Sequence, residues 1–484
     1  MSAVSTPTAP EDKISIPHRL IYGLGAFVNN LLGAASGGMM IVLNLGFGMD
    51  PALVGWLGML PRLTDAFTDP VMGYISDHTR TRWGRRRPFI FIGAIATAIL
   101  FVVQWQVPTG KSEMFYFFYF LSASNFFYMA YTVFAKPWVA LGYELTPDYN
   151  ERTRLMGTQN FIGQLAFTVS PWFLLIMNSG KFFRDEAGEP DQVAGAAGLA
   201  VVIALVTIGL GVLPAIFLRE RMAAVAVDEL DAQSRPGLLA SLKSFFAGFK
   251  TTLSSGPFVK LAITAFLVFN GFMLVASFQF YVVIYYVMEG DQIAGAKWAG
   301  WALTAGAIAN FLIVAGMAMW ATRVGKKKAL MVGIGLSVVG FLLKWVCYNP
   351  AAPWMVIIPA PLISFGLGSL FTIIPSMIAD VCDVDELQTH ERREGMFGSI
   401  FWWVIKLGLS LALLLGGYML NWTGFEVDLG AEQAASTLTW MRIADIGVPV
   451  FTSLLALWAL SRFPITEHYA NQVRAQLEER RGKV

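Results

Sequence analysis

Asp65, Asp69, Gly73 and Asp77 recur four residues apart, a spacing that sets them on one stripe of a helix. The residues just before them, Leu53 to Leu63, are apolar except for Arg62. A helix over this stretch therefore carries two carboxylates deep into a bilayer. A charged side chain at that depth costs about 2.5–3.5 kcal/mol, so such residues face an internal cavity and bind something there. The chemistry implied is binding rather than bond-making: the apolar stretches hold no nucleophile–base pair and no set of metal ligands. The basic run Arg80, Arg82 and Arg85 to Arg87 follows at once and marks the cytoplasmic exit of the helix.

The elements that position these acids are membrane spans. Of 484 residues, 56% are hydrophobic and only 14% charged, with a mean hydropathy of +0.57, whereas a soluble domain carries about 25% charged residues. Stretches long enough to cross a bilayer, about 20 residues each, lie at 20–48, 52–77, 88–108, 114–143, 155–178 and 195–218. A second six lie at 258–288, 294–322, 328–348, 353–381, 396–420 and 439–462. The fold expected is an all-α membrane protein of twelve transmembrane helices in two six-helix bundles. Residues 1–19 read as a polar cytoplasmic tail rather than a signal peptide. The bundles are placed at 20–218 and 258–463, with a cytoplasmic linker at 219–257 and a C-terminal tail at 464–484. Within the linker, Leu238 to Phe249 reads as an amphipathic interfacial helix.

Charge asymmetry sets the orientation. The loops with Arg80 to Arg87, Arg152 and Arg154, Arg323 and Lys326 to Lys328, and Arg392 and Arg393 all fall on one side. Both termini are therefore expected in the cytoplasm. Two cysteines, Cys347 and Cys382, give no disulfide framework, and four histidines in loops or tails give no haem or intramembrane metal centre.

The halves echo each other. Trp83-Gly84-Arg85-Arg86-Arg87 after the second stretch matches Val324-Gly325-Lys326-Lys327-Lys328 after the eighth. Glu144, Asp148, Arg152 and Arg154 resemble Asp380, Asp383, Arg392 and Arg393 in the other half. Repeated six-helix halves describe a transporter that rocks about a central site.

These motifs carry a family resemblance. Asp65-Ala-Phe-Thr-Asp69-Pro-Val-Met-Gly73, Arg82-Trp-Gly-Arg, Tyr143-Glu-Leu-Thr-Pro-Asp148-Tyr-Asn-Glu-Arg152-Thr-Arg154 and Ala379-Asp380-Val-Cys-Asp383 resemble the glycoside–pentoside–hexuronide:cation symporters. That branch of the major facilitator superfamily includes the melibiose permeases. Gly84-Arg-Arg-Arg-Pro88-Phe-Ile also resembles the plant sucrose-transporter branch. The resemblance implies that Asp65 and Asp69 hold the coupling cation, that Thr68 and Thr132 lend neutral oxygens, and that Lys406 lies near the cation site. A hard monovalent cation in low dielectric needs several oxygens and a compensating charge. Two close carboxylates suit a proton equally, because one of them tends to stay protonated. Na⁺ and H⁺ both stay open, with the threonines favouring Na⁺. A structural use of the same acids, pairing with Arg62 or Lys406, is the competing reading.

The chain departs from the melibiose permeases at the sugar site. Their aspartates in spans one and four and arginine in span five are replaced here by Asn30, Ala135 and Asn160, and Lys136 adds a charge beside Pro137 and Trp138. Candidate substrate residues are Asn30, Arg62, Lys136, Trp138, Asn160, Phe371, Trp402 and Trp403. Sugars stack their C–H faces on aromatic rings, so a glycoside fits this set, while the galactoside carboxylate pattern does not. Candidate gate residues, forming ion pairs on the cytoplasmic side, are Asp77, Arg82, Gly84, Arg85, Arg86, Glu144, Arg152 and Arg154, with Asp380, Asp383, Arg392 and Arg393 in the second half. Such pairs bias an equilibrium only if made in one state and broken in the other. Arg87 and Lys326 to Lys328 are assigned to positive-inside topology alone.

The function expected is cation-coupled symport of a sugar or glycoside across the cell membrane, without an enzymatic step or a cofactor beyond Na⁺ or H⁺. The protein is expected to act as a monomer in the lipid bilayer, without nucleic acid. A cargo of amphipathic anion or lysolipid on the same fold is the alternative, since the resemblance extends to a vertebrate lysophospholipid symporter and Lys136 suits an anion. A transporter-like sensor is a further class, but only a short tail follows the last span.

Overall fold

The computed structural model describes residues 13–146, 149–179, 191–220, 252–276, 278–390 and 393–481. The amphipathic stretch Leu238 to Phe249, and Arg392 of the candidate gate, lie outside the described residues. Among the described residues there is no strand.

The long helices of the first half are α1 (Ile16–Gly38), α2 (Pro51–His78), α3 (Arg87–Trp105), α4 (Glu113–Glu144), α5 (Tyr149–Gln164) and α6 (Gln192–Gly211). Those of the second half are α7 (Gly256–Ala276), α8 (Gln292–Val324), α9 (Lys326–Cys347), α10 (Pro359–Thr389), α11 (Glu394–Trp422) and α12 (Ala435–Ser461). A polar helix, α13 (Glu467–Arg481), follows. Local chemistry fixes several starts. Asp191 Oδ1 accepts the amides of Val193 and Ala194, both at 2.9 Å, and opens α6. Asp291 caps α8 in the same way through Ile293 and Ala294. Each cap satisfies amide donors that a helix end leaves without partners.

Ten helical segments among the described residues are long and apolar enough to cross a membrane. Helices α2 and α4, at 28 and 32 residues, have the length but are not among the ten. They are the helices that carry Arg62, Asp65 and Asp69 on one side and Lys136 on the other.

The chain divides into two compact units, Met1–Met49 with Leu60–Leu238, and Asp50–Met59 with Leu239–Val484. In the first, α3 packs on α4 and α6, and α1 packs on α5 and α6. In the second, α9 packs on α10 and α12, and α7 packs on α11 and α12. The same four pairings thus recur, helix for helix. The echo extends to the backbone: Gly84 and Gly325 both hold positive φ, 109° and 88°, a region in which L side chains are strained. In the second unit the core centres on Phe258, Ile334, Leu370 and Phe397, all fully buried.

Candidate functional site

Helices α2 and α4 present matching stripes. On α4, Tyr128, Thr132 and Lys136 are spaced four apart; on α2, Arg62, Asp65 and Asp69 are spaced three and four apart. Both spacings keep residues on one helix face, and the stripes meet in step. The Arg62 guanidinium lies 5.6 Å from the centre of the Tyr128 ring. One turn on, the Thr132 hydroxyl donates to Asp65 Oδ1 at 2.7 Å and reaches Asp69 Oδ1 at 3.4 Å. Thr68 Oγ1 lies 3.4 Å from Thr132 Oγ1 and donates to the Asp65 carbonyl at 3.3 Å. A further turn along, Lys136 Nζ sits 2.6 Å from Asp69 Oδ2.

Asp65 is 8% exposed and Thr132 1%. A hydrogen bond to a carboxylate is about twice as strong as one between neutral groups, so a nearly dry Thr132 holds Asp65 firmly. Two carboxylates and two hydroxyls thus converge within one turn of each helix, the oxygen-rich, negatively charged arrangement that a small cation requires. Asp65, Asp69, Thr68 and Thr132 are together as expected. Lys406 lies on α11 in the second unit.

The candidate substrate residues lie in different surroundings. Lys136, expected among the substrate ligands, pairs with Asp69. Trp138 is 2% exposed and packs in the core, its indole N–H donating to the Tyr22 carbonyl at 3.2 Å and its ring stacked 5.1 Å from Tyr22. Asn30 accepts from Asn29 at 3.3 Å. Asn160 is exposed and accepts from Gln164 at 3.4 Å. Sequence reasoning missed Asn29 and Tyr131: the Tyr131 hydroxyl donates to Asn29 Oδ1 at 2.8 Å from the residue beside Thr132. In the second unit, Phe371 and Trp402 lie with parallel ring planes, centroids 5.9 Å apart and 6° between planes, and Phe371 rests edge-on against Phe269. Trp402 keeps 54% of its surface exposed, and Trp403 beside it is half-buried. This is a rigid aromatic platform.

The charged loops form clusters within each unit. Arg85 and Arg86 both reach Glu144 Oε1, Arg86 at 2.8 Å. Arg152 donates to the Thr146 carbonyl at 3.2 Å and the Tyr143 carbonyl at 3.5 Å, holding the end of α4. Arg82 is exposed, and Asp77 lies in the last turn of α2. Arg154 pairs with Glu151 at 2.7 Å, and so does Arg19, while the Ile14 amide donates to the same carboxylate at 3.1 Å. Burial pushes the Glu151 carboxyl up, but Ile14, Arg154 and Arg19 outweigh it and hold the group below its ordinary range.

In the second unit Asp380 pairs with Lys326 at 2.7 Å, and Arg393 pairs with Asp385 at 2.5 Å. The lysine assigned to topology alone is therefore an ion-pair partner, and Asp385, an acid not among the sequence candidates, pairs with Arg393. Arg87 likewise does more than set orientation. It donates to the carbonyls of Ala215 and Ile216 at 2.6 and 2.9 Å, capping the helical turn Leu213–Phe217. Lys327 repeats the contact on the Ser461 and Phe463 carbonyls at 2.8 and 2.9 Å.

Residues 21–467 match the family described as MFS/sugar transport protein. The chain belongs to that family. Among relatives of this sugar-transport-family chain, an uncharacterized symporter of Synechocystis sp. is 28% identical over 97% of this chain and 98% of its own length. The isoprimeverose transporter of Lactiplantibacillus pentosus is 24% identical, covering 100% of this chain and 96% of its own. Sodium-dependent lysophosphatidylcholine symporter 1 of Gallus gallus is 26% identical, covering 97% and 90%. A crystallised bacterial homolog of the human lysosomal transporter Spinster superposes with a TM-score of 0.66 at 14% identity, covering 96% of this chain and 99% of that one. At that identity the likeness speaks for the fold alone. The fold is the all-helical one of major facilitator transporters, and the protein is a multi-pass protein of the cell membrane.

Proposed function

We propose that this protein is a cation-coupled symporter of a sugar or glycoside that works by alternating access. The observation that carries the reading is the meeting of α2 and α4, where Asp65 and Asp69 share the Thr132 hydroxyl in a nearly dry site. In this reading α2 and α4 join the ten apolar segments as spans, giving twelve. The bundles occupy 20–218 and 258–463, and both termini are cytoplasmic. Asp65, Asp69, Thr68 and Thr132 bind the cation, and the hydroxyl oxygens favour Na⁺ over H⁺. The stacked Phe371 and Trp402 offer the face on which a sugar ring rests. The Arg85–Arg86–Glu144 and Lys326–Asp380 pairs serve the inner gate.

A cation moving down a membrane potential releases about 2.3 kcal/mol per 100 mV. At about 1.4 kcal/mol per decade, that drives roughly fifty-fold accumulation of a neutral solute for each ion. The test is uptake of labelled mono- and disaccharides into proteoliposomes, with an imposed Na⁺ or H⁺ gradient as the only driving force. Uptake under one gradient, collapsed by its ionophore and absent in Asp69→Asn, supports the reading and names the ion. Full concentrative uptake by Asp69→Asn overturns it. The lysophosphatidylcholine relative makes an amphipathic lipid the second cargo to test in the same vesicles.

A further inference from the structure

The coupling reading gives Lys136 no task. Lys136 sits on the same face of α4 as Thr132 and points its ammonium at the acid that the cation would use. We propose that Lys136 is a built-in stand-in for the coupling cation: in the empty carrier its ammonium holds Asp69, and cation binding displaces it. This rests on the cation-coupled reading and adds a residue to it.

The two oxygens of Asp69 face different partners. Oδ1 is turned to the Thr132 hydroxyl at 3.4 Å, and Oδ2 to Lys136 Nζ at 2.6 Å. A cation seated on Oδ2 and an ammonium at that distance repel at short range, so they are alternatives rather than companions. Exposure decides which of the two groups moves. The Asp69 side chain is 16% exposed, while Lys136 keeps 35%. A carboxylate that dry is costly to leave bare. A lysine, with its flexible four-carbon stem, can carry its ammonium out to water.

Two consequences follow for the transport cycle. First, the ammonium competes with the cation, so it weakens apparent cation affinity. Secondly, it keeps Asp69 compensated when no cation is bound, which permits the empty carrier to return. Coupling then consists of an exchange between two positive charges at one carboxylate, each able to occupy it only when the other has left. Lys136 is accordingly a positioning residue for the cation step and not a ligand of the cargo.

The experiment uses the full-length protein in proteoliposomes, with Na⁺ and H⁺ as the probes. The cation concentration at half-maximal response, net uptake, and substrate exchange at saturating cation are measured for the wild type, K136Q and K136R. K136Q is expected to lower the half-maximal cation concentration about tenfold, inside the about 5–150-fold span of a single coupling. It is also expected to slow net uptake much more than exchange, because only net uptake needs the empty return. K136R restores a cation at Asp69 and moves both quantities back toward the wild type. If K136Q leaves cation affinity unchanged or weaker, and net uptake and exchange fall in equal proportion, the proposal is overturned. Asp69→Asn separates the two levels of the argument: a cation response that survives it removes the cation-site reading itself, whatever Lys136 does.

Discussion

Breaking the buried pair between Lys344 and Asp445 should unfold the second unit more readily than any surface change. Lys344 on α9 places Nζ 2.9 Å from both carboxylate oxygens of Asp445 on α12. Their side chains are 2% and 1% exposed. The ammonium also lies 5.6 Å from the Phe341 ring centre and 5.3 Å from that of Tyr348. A charge left behind by either partner would stay buried. Removing one partner of such a pair costs about 3–5 kcal/mol, whereas replacing both with apolar groups of similar volume is often neutral or stabilising. At about 1.4 kcal/mol per decade, Lys344→Met or Asp445→Leu alone shifts the unfolding equilibrium by roughly two to three and a half decades. The double variant K344M/D445L should return to within about 1 kcal/mol of the wild type, a coupling far larger than the about 0.5 kcal/mol within which independent sites add. Denaturant titration of the purified protein in micelles reads all four corners of the cycle. Two single variants that each cost less than about 1 kcal/mol, with an additive double, would refute the argument, because that is how surface pairs behave.

Two further outcomes follow from the loop clusters. The Glu220 carboxylate accepts the amides of Arg85, Arg86 and Arg87 at 2.8, 2.8 and 2.9 Å, and a Cβ on Gly84 would stand 2.6 Å from Glu220 Oε1. Gly84→Ala therefore incurs both the positive-φ strain, about 1–2 kcal/mol, and the loss of that seat. In a thermal-unfolding cycle, G84A combined with E220A should cost no more than G84A alone; additive losses would show that the two do not share a contact. The second outcome concerns Glu151. Its carboxyl titrates below the ordinary value of 4.5, so the charged form stabilises the fold. That contribution is complete above the ordinary value and is lost as pH falls through the lowered one. Thermal midpoints measured from pH 6 to 3 should show the wild type ahead of Glu151→Gln at pH 6 and losing its lead below about pH 4.5. A lead that is constant over that range contradicts the assignment.

The stripe of acids on α2 and the twofold repeat were legible because both are local patterns: a four-residue spacing, and a Gly-plus-basic run that occurs twice. Glycine at position 84 or 325 has one physical reason to recur, and the structure supplies it as positive φ at both. The partner of each charge was less legible. Lys136 was grouped with Trp138 because they are neighbours in sequence. Two residues along a helix are about 200° apart around its axis, so Trp138 faces the Tyr22 core while Lys136 faces Asp69. The spacing of Thr132 to Lys136, four residues, is the local signal that sets Lys136 on the helix face that meets Asp69. Glu220 carried no local signal, since its partner Arg85 lies 135 residues away in sequence; Glu151 showed one, Arg154 three residues on, but its bond to the Ile14 amide, 137 residues away, did not show. Lys344 and Asp445 were hidden for the same reason.

The two units share a scaffold and not a chemistry. Each has the same four helix pairings, a positive-φ glycine ahead of its third helix, and a basic residue that caps the end of its last long helical stretch, Arg87 in one and Lys327 in the other. Each also ties the start of its third helix to an acid in the C-terminal part of its fourth, through Arg86 and Glu144 or Lys326 and Asp380. The repeat ends at the middle of the spans. Helix α2 carries Asp65 and Asp69, whereas its counterpart α8 holds no acid from Gln292 to Val324. The second unit instead brings Phe371 against Trp402. Side chains that shape the loops must answer to the same mechanical demand in both halves, so they recur. Side chains that bind answer to different ligands, so they diverge. In the proposed function a cation needs charge and oxygen, which α2 and α4 bring together in step, and a sugar face needs a flat apolar ring, of the kind that α10 and α11 carry. Substitutions on the α2–α4 stripe should therefore change the dependence on the ion, and substitutions at Phe371 or Trp402 the choice of cargo.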